Sequence, residues 1–309
     1  MSERVIITGS NGLLGQKLIK LFLKKSGYEI HGLSRGENRM ASNKGYKYHD
    51  IDLLDKEDLL QTLHQIEPDI IIHTAAMTNV DACELNQEVC DQMNIEVVSY
   101  MIDYCRDKKV YLLHLSTDFI FDGEKGAIYK EEDMAHPVNH YGLSKWESEK
   151  LLLNSEVEHA ILRTILVYGI VDRNDRSNIV LWVKSSLENK QEIRVVTDQH
   201  RMPTYAEDLA EACWLAVSTR ARGVYNVSSN TLMSIYEIAL TIADVFKLDK
   251  KLIVPVTTSA LSLPAKRPFS TGFDLNKSVS EINLTSYSFL ERLQVFKDQL
   301  YSVEGAAKA

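Results

Sequence analysis

Short apolar runs rich in β-branched residues punctuate the first half of the chain. Between them lie longer segments whose apolar residues recur every three or four positions. The runs are Arg4–Thr8, Glu29–Leu33, a weaker one at Tyr46–His49, Asp69–His73, Val110–Leu115 and Val157–Thr164. Helical spacing follows the first run through Leu14, Leu18, Ile19, Phe22 and Leu23 and stops at Ser26-Gly27. Further helices are predicted from near Asp55, from the loop Met77–Glu84 to about Lys108, and from Tyr141 to about Asn154. Apolar strands that alternate with helices predict an α/β fold whose parallel sheet is covered on both faces. Beyond Gly169 the rhythm changes. A polar stretch, Asp172–Ser177, precedes a helix over 178–188, a strand at 192–196, a helix at 206–217 and a strand at Val224–Val227 that returns to the first sheet. Two further helices, 234–246 and 288–301, belong with a smaller lobe. The division expected is 1–169 plus about 200–230 for one domain, and about 170–199 plus 231–309 for a second, smaller α/β domain.

The 309 residues can bury a large core, and 45% hydrophobic with 25% charged residues is ordinary for a globular protein. A net charge of −8 argues against nucleic acid or an anionic membrane as partner. No apolar run resembles a leader or a membrane span. Cys83, Cys90, Cys105 and Cys213 show no Cys-xx-Cys spacing, so buried free thiols and a reducing cytoplasm are expected, with no metal site.

Chemistry enters where the first strand runs into Gly9-Ser-Asn-Gly12-Leu-Leu-Gly15. A glycine-rich turn between strand and helix is the context of a dinucleotide fingerprint. Gly9 permits the tight turn, Gly12 lets the backbone approach a pyrophosphate, and Gly15 lets helix and strand pack closely. The second strand ends at Ser34-Arg35, where an NAD-specific protein would carry a carboxylate. Arg35, with Arg39, suits a 2′-phosphate, which favours NADP(H) while leaving NAD(H) possible. Asp52 either touches the adenine edge or precedes a helix. The small residues Thr74, Ala75 and Ala76 leave room for a cofactor at a strand's carboxyl end, and His73 reads as a core histidine. Asn94, buried in a helix, must satisfy its amide by a structural hydrogen bond or a relay water.

Tyr-xxx-Lys occurs twice, at Tyr104/Lys108 and Tyr141/Lys145. Only the second follows a strand that ends on hydroxyls, Ser116-Thr117. An ammonium about 4 Å from a phenol is worth about 4 kcal/mol at an effective dielectric near 20, so Lys145 is expected to lower the Tyr141 pKa. Tyr141 then serves as general acid, Lys145 holds the nicotinamide ribose, and Thr117 bonds a substrate carbonyl.

Thr8–Gly15, Asp50-Ile-Asp52, Tyr141-xxx-Lys145 and Arg163…Val167-Tyr-Gly169 together resemble the extended short-chain dehydrogenase/reductase family. Ala75–Asp81, Leu115–Gly123, Asp198-Gln…Pro203-Thr204 and Arg267-Pro268 are most similar to its dTDP-4-dehydrorhamnose reductases. The resemblance implies a Rossmann domain, a sugar-nucleotide domain, and NAD(P)H-dependent reduction of the C4 ketone of a nucleotide-linked 6-deoxy sugar. It implies cofactor contacts from Asn11, Leu13, Leu14, Ser34, Leu53 and Asn94, besides the residues already named, and lifts Asn94 toward the relay role. Thr78, Val80, Asp118 and Phe119 are implied to line the sugar pocket. Two departures touch substrate recognition: Leu166 replaces a tryptophan and Arg201 a glycine. Arg201 either pairs with a substrate pyrophosphate or is a surface charge. A homodimer is possible, but the metal-dependent dimerisation of some members has no matching ligand cluster here. The same fold also hosts epimerases, and a non-catalytic regulatory subunit, methionine adenosyltransferase β, resembles the same reductases.

Overall fold

The structure is a computed structural model that describes residues 2–126, 128–173 and 178–308. Part of the polar stretch Asp172–Ser177 therefore lies outside the described residues. Seven parallel strands form the main sheet: β1 (Glu3–Thr8), β2 (Tyr28–Ser34), β3 (Lys47–Asp50), β4 (Ile70–His73), β5 (Tyr111–Thr117), β6 (His159–Thr164) and β11 (Gly223–Val227). Their order is β11-β6-β5-β4-β1-β2-β3, with the chain reversing direction across the sheet between β1 and β4. Ligands bind outside the carboxyl ends of the strands at such a switch point. The fold is Rossmann-type α/β.

Helices α1 (Leu13–Phe22), α2 (Lys56–Ile66), α5 (Val97–Lys108), α6 (His140–Leu153) and α8 (Ala206–Ser218) cover the sheet. On one face Val5, Ile7, Ile70, Ile72 and Leu113 meet α1 and α8. On the other, Ile6, Leu33, Ile71, Leu112 and Ile161 meet α2 and α5. Alternate residues of each strand thus face opposite layers, and both faces are apolar because both are buried.

A third core, around Tyr168, Val183, Ile238, Ile242, Phe289 and Phe296, sits off the sheet. It is built by β7 (Val167–Tyr168), β8 (Ile193–Val196), β10 (Thr204–Tyr205), β13 (Ile253–Val256), α7 (Ile179–Glu188), α9 (Ile235–Phe246) and α11 (Phe289–Lys308). Two short strands, β9 (His200–Arg201) and β12 (Met233–Ser234), pair antiparallel beside it. Helix α10 (Asn276–Ile282) packs on β11. Ser234 and Glu237 form a reciprocal capping box that starts α9.

The long helix predicted to end at Lys108 is instead broken. It comprises α3 (Val80–Leu85), α4 (Gln87–Asp91), a π-helical turn over Gln92–Glu96, and α5. The wide turn carries Asn94 inward, to where its amide meets the Met77 backbone. Insertions of this kind recur at functional sites.

Candidate active site

One cavity of about 730 Å3 opens along the carboxyl ends of the strands. One end of it begins at the glycine turn. Gly9 has φ +66°, and a Cβ there would meet Ala75 N at 2.9 Å; a Cβ on Gly15 would lie 2.3 Å from the Gly9 carbonyl. Both positions exclude any other residue, Gly9 by conformation and Gly15 by contact with the Gly9–Ser10 backbone. Gly12 caps α1 without any side chain, so the amides opening the helix point into the cavity unsatisfied by a side-chain cap. A helix opening of this kind can seat an anion such as a pyrophosphate.

Asn11 works behind this turn. Its Nδ2 donates to Glu37 O and Tyr48 Oη, both at 2.9 Å, and its Oδ1 accepts from Arg39 N at 2.8 Å. It therefore holds the loop that carries Arg35 and Arg39. Both arginines are exposed and border the cavity, and Arg35 Nη1 lies 3.3 Å from Asp52 Oδ2. Ser34, Leu53, Thr74, Ala75 and Ala76 complete this end with Leu13 and Leu14. Gly15 and Asn94 do not line it. Asn94 accepts from Met77 N at 2.8 Å, and its Nδ2 donates to Met77 O at 3.1 Å and to Ser144 Oγ at 3.0 Å. Its amide thus clamps the Met77 loop to α6.

Thr117 ends β5, and Tyr141 and Lys145 share one face of α6; all three line the cavity. Gly142 makes this approach possible, because a Cβ there would sit 2.0 Å from the Phe119 carbonyl. Asn139 caps α6 by accepting from Gly142 N. The Tyr141 ring packs edge-on to Phe119 with centroids 5.8 Å apart. Burial raises the Tyr141 pKa, and the Thr117 hydroxyl beside it pulls the other way. The expected lowering by Lys145 is not found. The Lys145 amine lies 3.0 Å from His114 Nε2, and burial drags its own pKa from 10.5 to about 8 against the pull of Glu149. His114 is held neutral by burial and by Lys145, and His73, stacked on it at 5.5 Å, falls to about 3.

The lysine shift has a stability consequence. Between pH 8 and 10.5 the unfolded chain binds more protons at Lys145 than the folded one, so this group's contribution to stability rises with pH across that window. Its cost, on the order of 3 kcal/mol, is complete below pH 8 and gone above 10.5. Lys145→Met is expected to be more stable than the parent at pH 7, with a margin that shrinks toward pH 10.5. A pH-independent margin in denaturant melts contradicts the assignment.

At the other end of the cavity stand Thr78, Val80, Asp118, Phe119, Leu166 and Arg201. Arg201 is 3% exposed, which removes the surface-charge alternative. Its Nη1 donates to His200 O and Phe269 O, its Nη2 donates to Pro268 O, and its Nε is 3.4 Å from Asp118 Oδ2. Asp118 also accepts from Thr271 Oγ1 at 2.5 Å and Thr117 Oγ1 at 3.2 Å. Burial nonetheless raises its pKa. The Thr117 hydroxyl, a buried carboxylate and the segment 268–271 are thereby one network. Leu166 is left-handed at φ +42°, an uncommon conformation for a branched side chain and one that marks a constrained position in the cavity wall.

Sequence reasoning missed Arg267 as a tie. It grips Asp81 with both Nη atoms at 2.7 Å and joins α3 to the segment that leads into Pro268. Gln199 also lines the cavity, donating to Thr258 Oγ1 at 2.9 Å. Both side chains lie far along the chain from their partners, which no local pattern reveals.

A family model described as the RmlD substrate binding domain matches residues 3–302. The chain belongs to this family. It is an extended short-chain dehydrogenase/reductase close to RmlD, as its motifs implied. A dTDP-4-dehydrorhamnose reductase from Aggregatibacter actinomycetemcomitans is 32% identical over 288 residues, covering 89% of this chain and 91% of that protein. The methionine adenosyltransferase 2 subunit beta of Rattus norvegicus is 31% identical over 282 residues, covering 89% and 81%. The crystal structure of dTDP-4-dehydrorhamnose reductase from Bacillus anthracis in complex with NADP superposes with a TM-score of 0.84 at 28% identity, covering 97% of this chain and all of that one. Both the reductases and the adenosyltransferase subunit are thus relatives of this RmlD-family chain. No helix among the described residues is long and apolar enough to cross a membrane.

Proposed function

We propose that this RmlD-family chain is an NAD(P)H-dependent reductase of the C4 ketone of a nucleotide-linked 4-keto-6-deoxy sugar. The observation that carries the reading is the convergence of Thr117, Tyr141 and Lys145 in the same cavity as the uncapped glycine turn. Residues 1–169 with about 200–230 hold the cofactor, and about 170–199 with 231–309 supply the sugar-nucleotide side. When bound, the cofactor supplies the hydride. Gly9, Gly12 and the opening of α1 seat the pyrophosphate, and Arg35 and Arg39 flank the place of a 2′-phosphate. Tyr141 keeps its proton because its pKa is raised. It then gives that proton to the ketone oxygen as negative charge develops there. Thr117 steadies the phenol and the same oxygen. Lys145, anchored on His114, presents its remaining donors to the ribose. Thr78, Val80, Asp118 and Phe119 shape the sugar site, and Arg201 supports it from beneath.

NADPH oxidation with a dTDP-4-keto-6-deoxyhexose tests the reading; turnover is expected. The similarity to methionine adenosyltransferase 2 subunit beta supports a second reading, a cofactor-binding regulatory subunit. NADPH binding without turnover on any keto-sugar nucleotide favours it. NADP(H) is the preferred cofactor of the two nicotinamide dinucleotides. Arg35→Ala is expected to weaken NADPH binding about tenfold, the scale of one charge-assisted hydrogen bond at an exposed site, and to leave NADH binding unchanged. Equal losses for both in fluorescence titrations remove the preference.

A further inference from the structure

Beneath the Met77 loop lies a donor set that the reductase reading does not use. Helix α4 ends on Cys90 and Asp91, and α6 begins with His140. A sulfur, a carboxylate oxygen and an imidazole nitrogen from these residues all lie within 4.8 Å of one another. The spacing along the chain conceals the cluster: His140 is 49 residues from Asp91, and no Cys-xx-Cys pair announces it. Cys90 is fully buried, whereas the His140 and Asp91 side chains are 12% and 42% exposed. The site is thus closed behind the sulfur and open to solvent in front of it.

The surroundings favour a cation. The Cys90 sulfur accepts from Asn94 Nδ2 at 3.4 Å and lies 3.4 Å from Ser144 Oγ, so polar groups surround it rather than an apolar core. The Glu84 carboxylate accepts from His140 N at 2.9 Å and adds negative charge nearby. His140 Nε2 and Asp91 Oδ1 are 2.8 Å apart, held by one hydrogen bond that an ion between them replaces. A thiolate, an imidazole and a carboxylate form a mixed S/N/O set. It matches zinc-class ions, whereas magnesium and calcium take oxygen alone. Tetrahedral zinc at the usual bond lengths holds its ligand atoms about 3.5 Å apart, so side-chain shifts of about an ångström close the site.

We propose that Cys90, Asp91 and His140 bind a zinc-class divalent cation, with water completing the coordination. Binding releases the Cys90 thiol proton to solvent and breaks the His140–Asp91 hydrogen bond, with no change of oxidation state. The ion ties α4 to the residue directly before Tyr141. The proposal is independent of the reductase reading, since it concerns binding alone.

Full-length protein, reduced and freed of metal by chelation, is titrated with Co2+ and then Zn2+. One equivalent of Co2+ is expected to produce a near-ultraviolet thiolate-to-cobalt band, which Zn2+ abolishes by displacement. The band is expected to vanish in Cys90→Ser. In His140→Gln, which keeps a polar side chain of similar reach at this partly buried position, Co2+ affinity is expected to fall at least about tenfold. Absence of a saturable band in the parent, or parent-like binding in His140→Gln, overturns the proposal.

Discussion

Tyr141→Phe is expected to lower kcat by about a hundredfold or more, the usual contribution of a positioned general acid. The substitution removes one oxygen and keeps the ring that packs edge-on to Phe119, so the fold and the cavity shape are retained. Thr117 is engaged with Asp118, and His114 faces Lys145 from behind with its pKa well below neutrality. The raised Tyr141 pKa strengthens the expectation, because the phenol holds its proton until the ketone oxygen becomes basic. NADPH affinity is expected to change little, since the pyrophosphate and 2′-phosphate ends are untouched. Steady-state kinetics on a dTDP-4-keto-6-deoxyhexose make the check, and turnover equal to the parent's refutes the proton-donor role.

The second large effect is on stability and lies behind the same helix. Glu149, fully buried on α6, receives Arg163 Nε at 3.0 Å and Nη2 at 2.7 Å, and Arg163 Nη1 donates to Glu131 O at 2.9 Å. Removing one partner leaves an uncompensated buried charge, which typically costs about 3–5 kcal/mol. Glu149→Ala is therefore expected to lose about that much in urea melts, and a loss below about 1 kcal/mol contradicts the pairing. The milder Glu149→Gln also withdraws the negative charge that supports the Lys145 ammonium, so Lys145 deprotonates at a lower pH than in the parent. The pair thus fastens to β6 the helix that presents Tyr141 and Lys145, and it supports the lysine's charge.

Much of this arrangement was legible before any coordinates. The β-branched runs marked the six strands up to β6, and the Val224–Val227 run indeed joins β6 in the sheet. Gly9, Gly12 and Gly15 declared the turn, because at Gly9 and Gly15 only glycine meets its sterics. Other features needed three dimensions. The two-residue strands β9 and β12 are too short to show a period. The π-helical turn at Gln92–Glu96 carries no local signature, so Asn94 seemed to lie within an ordinary helix. Gly142 is as decisive as any glycine of the turn, yet its reason is a carbonyl 23 residues away. Arg201 reads as polar from its side chain alone. Its burial follows from carbonyls at Pro268 and Phe269, supplied by a distant segment. The direction of the Tyr141 shift depends on burial, which a Tyr-xxx-Lys spacing does not encode.

Incubation with a dTDP-4-keto-6-deoxyhexose and NADPH deuterated at the nicotinamide C4 tests the central claim most directly, once for each face of the ring. The account predicts that one face delivers a single deuterium to C4 of the sugar, with one NADPH consumed per product. Deuterium at any other carbon, or NADPH that stays unoxidised while the protein binds it, contradicts the account.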